Sequence, residues 1–140
     1  MAATGDYLYP SRPHPVHGVL LAGTVPLFLG TLLTDITYWN TYQVQWSNFA
    51  SWLNAGGLVF TGLALVSALI ALIASRTRGS GIHVLMLLAT WILGFLNALV
   101  HARDAWAMMP GALVLSLVVF VLALASTVLG FAGYRQREAT

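Results

Sequence analysis

Four apolar blocks, each long enough to cross a bilayer, leave this chain little freedom of architecture. The hydrocarbon core is about 30 Å thick and takes roughly 20 helical residues to span. Residues 16–38, 53–74, 82–102 and 110–133 each meet that length. Only 7% of the chain is charged while 59% is hydrophobic, against about a quarter charged in a soluble domain. The expected fold is therefore an all-α membrane protein, an up-and-down bundle of four transmembrane helices. It forms one domain over residues 16–134, between an N-terminal arm (1–15) and a short tail (135–140). No room is left for a soluble domain, so a water-soluble active site would belong to a separate chain.

The arginines read as topology. Arg12, Arg76, Arg78, Arg135 and Arg137 fall on one side of an alternating bundle and Arg103 on the other. The positive-inside rule then places both termini and the 75–81 loop in the cytoplasm. A net charge of +2 without a soluble basic patch does not point to nucleic acid. With no cysteine, there is neither a disulfide nor a thiolate site. The N-terminal segment lacks a small-x-small cleavage signature, so the first helix is expected to be retained.

Pro15 marks the start of helix 1, because proline at the first helical position gives up an amide that would lack a partner anyway. Pro26 lies mid-span and is expected to bend the helix. Tyr38, Trp39, Tyr42, Trp46 and Trp52 form an aromatic belt at the outer interface. Helix 2 is expected to open at Asn54, and its Gly56, Gly57 and Gly62 allow close helix packing. Ser80 is a candidate cap for helix 3, which would put His83 in its first turn. Pro110 starts helix 4. Beyond the four spans themselves, no repeat is apparent.

His14, His17 and His83 lie at the inner face and His101 at the outer. Helices 1 and 3 run parallel and stand on a diagonal, a gap on the order of 11–14 Å. Imidazoles from His14 or His17 on one side and His83 on the other can ligate one haem iron across that gap. A helix N-terminus keeps such an imidazole neutral. Gly18, Gly79 and Gly81 would leave space for the macrocycle, and Arg12, Arg76 and Arg78 stand at the depth of haem propionates. The plainer reading is that histidines at helix starts are wetted interfacial residues. A small metal ion on His14 and His17 has only two nitrogens to bind it, with Asp6 the one nearby carboxylate.

On the outer side, Asp35, Asn54, Asn97 and His101 form a second polar level. It reads either as side chains reaching the headgroups or as a quinone or small-ligand pocket. Asp35–Arg103 and Arg103–Asp104 are alternative structural pairs. Only His101, with Met108 and Met109 as weak substitutes, is available as an outer haem ligand, so one haem is the most the chain can carry. No phosphate-cradling loop, Ser/His/Asp set or carboxylate pair supports a hydrolase or kinase.

The segments "HPVHGVLLAGTVPLFLGTLLTDITYW", "SWLNAGGL", "GIHVLMLLATWILGFLNALV" and "PGALVLSLVVFVLALASTVLGFAGY" resemble a bacterial family of four-helix membrane proteins, domain of unknown function 2231. The likeness runs from His14 to Tyr134. It implies an inner-membrane protein, similar to small b-type membrane cytochromes and found beside redox modules such as Rieske-type iron–sulfur or quinoprotein dehydrogenase units. The chain departs from the pattern at Ala71, where relatives often carry aspartate, and at its "LGFAGY" finish. Geometry favours His17 as ligand, whereas the resemblance favours His14.

Three functions fit these residues. The first is a haem b protein carrying electrons between a redox partner and the quinone pool, a redox role rather than a stand-alone enzyme. The second is a cofactor-free anchor or assembly subunit that docks a redox enzyme or a second copy of itself. The third is a small ion or metal transporter, disfavoured because no ionisable residue lies near mid-membrane.

Overall fold

The computed structural model describes residues 14–75, 79–103 and 105–138, the side chains of 75, 79, 80, 105 and 133–138 excepted. Four helices account for nearly all of it: α1 (Pro15–Thr41), α2 (Val44–Ser75), α3 (Gly79–His101) and α4 (Gly111–Glu138), with a 3-10 turn at Ala105–Met108 before α4. Each of the four is long and apolar enough to cross a membrane. Helix is the expected answer in lipid, where no water is present to satisfy a free amide or carbonyl. α1 packs on α2 and α4, and α3 packs on the same two, so α1 and α3 face each other across the centre of a square, up-and-down bundle.

The helix starts follow the sequence in three cases. α1 begins at Pro15 with His14 at its cap, and α3 and α4 begin within a few residues of the expected positions. α2 differs, starting at Val44 rather than near Asn54. Its first turns carry Gln45, Trp46, Ser47 and Asn48, too polar to read as a span but free to be helical at the headgroup level. Only Tyr42 and Gln43 separate it from α1. The chain reverses at Tyr42, whose φ of 58° is left-handed and whose N–H caps the Tyr38 carbonyl.

The interior follows a heptad. His17, Leu21, Thr24, Phe28, Thr31 and Asp35 of α1 face inward, at alternating steps of four and three. The same spacing brings Ala50, Asn54, Gly57, Thr61, Ala64 and Ala68 of α2 inward, and Ala112, Ser116, Val119, Ala123, Ser126 and Gly130 of α4. Steps of four and three give an average period of 3.5 residues, the geometry of left-handed bundles with knobs-into-holes packing. In soluble bundles such positions are apolar. Here lipid covers the outside, so the large apolar residues face outward, among them Ile73, Leu85 and Val114. Small and hydroxyl residues take the seam, where they allow close approach. Phe28 fills the middle of the bundle because Gly57 and Gly94 have no side chain to oppose its ring.

The inward positions of α1 line up with those of α3 66 positions on: His17, Leu21 and Thr24 repeat as His83, Leu87 and Thr90, and Phe28, Thr31 and Asp35 fall against Gly94, Asn97 and His101. The two diagonal helices thus present matching faces to the bundle axis. This internal correspondence is absent from the sequence-based expectation, which anticipated no repeat.

Candidate functional site

Because the faces match, chemistry on α1 meets chemistry on α3 at two depths. The first meeting is His17 with His83 and the second is Asp35 with His101. From residue 17 to residue 35 is 18 positions, about 27 Å along a helix. The two pairs therefore stand near opposite edges of a hydrocarbon layer about 30 Å thick.

At the first level the Nε2 atoms of His17 and His83 face each other at 3.4 Å. Their rings lie 5.6 Å apart at 82° to one another. His17 is buried and His83 half-buried. The diagonal gap expected from helix spacing is therefore closed, because both side chains reach inward and meet. Ser67 of α2 contacts His17 Nδ1 and donates its own proton to the Ala64 carbonyl at 2.8 Å. The glycine that matters here is Gly130 of α4. A Cβ there would lie 2.9 Å from His83 Cε1 and 2.7 Å from Leu21 Cδ1. Of the glycines expected to make room, Gly18 meets only Phe131 at 3.9 Å and Gly81 meets nothing within 4 Å. Of Gly79 only the helical backbone is described.

His14 stands exposed at the cap of α1, its carbonyl accepting from the amides of His17 and Gly18. The imidazole contact is made by His17 and His83, without His14. Asp6, Arg12, Arg76, Arg78 and Asp104 lie outside the described residues. Among the described residues, no group of three or more His, Cys, Asp or Glu side chains converges as a polydentate metal site would.

The second level draws on all four helices. His101 Nε2 lies 3.0 Å from Asp35 Oδ1, and Ser116 donates to Asp35 Oδ2. Asn97 donates to Ser116 at 2.9 Å and to Asn54 at 3.4 Å, and Asn54 in turn donates to the Gly94 carbonyl at 3.0 Å. Asp35, Asn54 and Asn97 are fully buried. His101 Nδ1 faces the Asn97 carbonyl at 2.9 Å. A carbonyl only accepts, so Nδ1 carries a proton, and one further proton must lie between Nε2 and the carboxylate. Counted together, acid and imidazole hold that proton with no net charge, the state a low-dielectric interior favours.

The four residues expected to line an outer pocket are thus bonded chiefly to one another and to Ser116. Asp35 pairs with His101 rather than with Arg103, which is exposed. Tyr38, Met108, Met109 and Ala112 pack over this level. Above them the Trp106 ring packs on Tyr42 and Trp39, with ring centroids 4.7 Å and 5.2 Å apart. Reading residues one helix at a time misses Ser67, Ser116 and Gly130. The heptad spacing places all three on or beside the inward faces.

A family described as "Predicted membrane protein (DUF2231)" matches residues 13–134. The chain belongs to this family. For a DUF2231 protein the match covers all four spans and both α1–α3 pairs, in keeping with a multi-pass membrane protein. No curated protein and no solved structure matches the chain.

Proposed function

We propose that this chain is a haem b protein of the inner membrane, exchanging electrons between a redox partner and the quinone pool. One observation carries the reading: two imidazole Nε2 atoms, supplied by diagonal helices, aim at each other at 3.4 Å inside the bundle. Two metal–imidazole bonds of about 2 Å would need roughly 4 Å, so His17 and His83 would have to part by about half an ångström to hold an iron between them. The flanking seam positions on α2 and α4 are small, with Ala64, Ser67 and Ala68 on one and Ser126 and Gly130 on the other. A bound haem supplies a one-electron iron couple. The chain's own residues hold its position and keep water away. Arg12, Arg76 and Arg78 are assigned to the propionates from their place in the sequence alone. Asp35 and His101 lie about 27 Å along the bundle from the imidazole pair, so this reading puts electron exchange at the histidine end.

The test is a reduced-minus-oxidised spectrum of the detergent-purified full chain, beside His17→Ala and His83→Ala. The expected result is a bis-imidazole haem spectrum in the wild type, lost in both variants. A colourless wild type that shows no Soret band after haem reconstitution overturns the reading.

The closed imidazole contact also supports a second reading, a cofactor-free anchor in which His83 Nε2–H donates to His17 Nε2. That reading expects alanine at both positions to leave folding and capture of a redox partner unchanged.

A further inference from the structure

We infer that Ser67 is the positioning residue of the imidazole pair, fixing the His17 tautomer so that an unprotonated Nε2 faces His83. The inference rests on the haem reading for its purpose, although its geometric basis is independent of it. A hydroxyl has one proton to give. Ser67 Oγ lies 2.8 Å from the Ala64 carbonyl, which can only accept, so the Ser67 proton is committed there. The same Oγ contacts His17 Nδ1 and must therefore accept from it. With Nδ1 protonated, neutral His17 has its lone pair on Nε2, the atom aimed at His83.

His83 lacks an equivalent side-chain partner: its Nδ1 is buried without a well-formed hydrogen bond, and only the Ser126 backbone carbonyl lies beside the ring. Opposite an unprotonated His17 Nε2, the one ring proton of a neutral His83 belongs on its own Nε2, shared across the 3.4 Å contact. For both Nε2 atoms to hold a metal, that proton would have to move to Nδ1, on the side of the Ser126 carbonyl. The pair is therefore asymmetric, with His17 set in advance by α2 and His83 free to change tautomer. Gly130 keeps the His83 ring against α4 but offers no side-chain acceptor. Partners of a ligand histidine's second nitrogen set its orientation and basicity, and losing one typically costs 10–100-fold in affinity.

The experiment uses the full chain with ¹⁵N-labelled histidine, as wild type, Ser67→Ala and Ser67→Thr. Before haem is added, wild-type His17 should show a protonated Nδ1 and a bare Nε2, and Ser67→Ala should show both tautomers. On haem titration, Ser67→Ala should bind about 10–100-fold more weakly. Its midpoint potential should be more positive, because the His17 ligand loses basicity. Ser67→Thr, which keeps the hydroxyl, should restore both. A wild-type His17 protonated on Nε2 overturns the inference whether or not haem binds. So does a Ser67→Ala protein with unchanged haem affinity and potential. A wild type that binds no haem but shows the expected tautomer removes the haem reading and leaves the role of Ser67 in place.

Discussion

Replacing Asp35 with alanine should cost about 3–5 kcal/mol of bundle stability, the range seen when one partner of a buried ion pair is removed. The carboxylate accepts from Ser116 and shares a proton with His101, and it is fully buried. Alanine leaves the Ser116 hydroxyl without its acceptor and His101 Nε2 without a partner. Asp35→Asn behaves differently. Its Oδ1 can still accept from Ser116 while its Nδ2 donates to a neutral His101, so the expected cost is about 1 kcal/mol. Reversible unfolding of the purified protein in mixed micelles measures both. Equal losses for alanine and asparagine would show that the charge itself, rather than the hydrogen bonds, ties the helices together. A double variant, Asp35→Ala with His101→Ala, should cost clearly less than the sum of the two single changes, because it removes the orphaned group along with its partner.

Much of this bundle can be read before any coordinates are known. Block length sets the number of helices, and Pro15 sets where the first begins. The inner face is also visible, since small and polar residues recur at steps of four and three through otherwise apolar blocks. Partner choice is harder to see. Whether Asp35 meets Arg103 or His101 depends on the register of α1 against α3, and that register is set by packing around Phe28, Gly57 and Gly94 rather than by any local motif. The same holds for the imidazoles. Their shared depth is legible, but their closed contact depends on how far each side chain reaches inward past Leu21 and Gly130. Ser67 and Ser116 look like ordinary hydroxyls within a helix. Their roles exist only once the neighbouring helix is in place.

Phe28→Ala should cost about 2–3 kcal/mol, and the size of that number depends on the solvent around the bundle. In a soluble core, losing a phenylalanine sacrifices both its transfer from water and its packing, about 3–5 kcal/mol together. In lipid the outside is as apolar as the inside, so the transfer component nearly vanishes and the void decides the cost. Phe28 is 1% exposed, and a Cβ on Gly57 would lie 2.6–2.9 Å from its ring atoms. The ring thus occupies the space where two helix backbones come together. Gly57→Ala should itself cost about 1–3 kcal/mol through overpacking. Combined with Phe28→Leu it should cost less than the two changes apart, since the shorter side chain makes room for the new methyl. The unfolding midpoints of the single and double variants decide this. Additive losses would mean that ring and glycine do not share one space, and the register that brings Asp35 to His101 and His17 to His83 would then need another source.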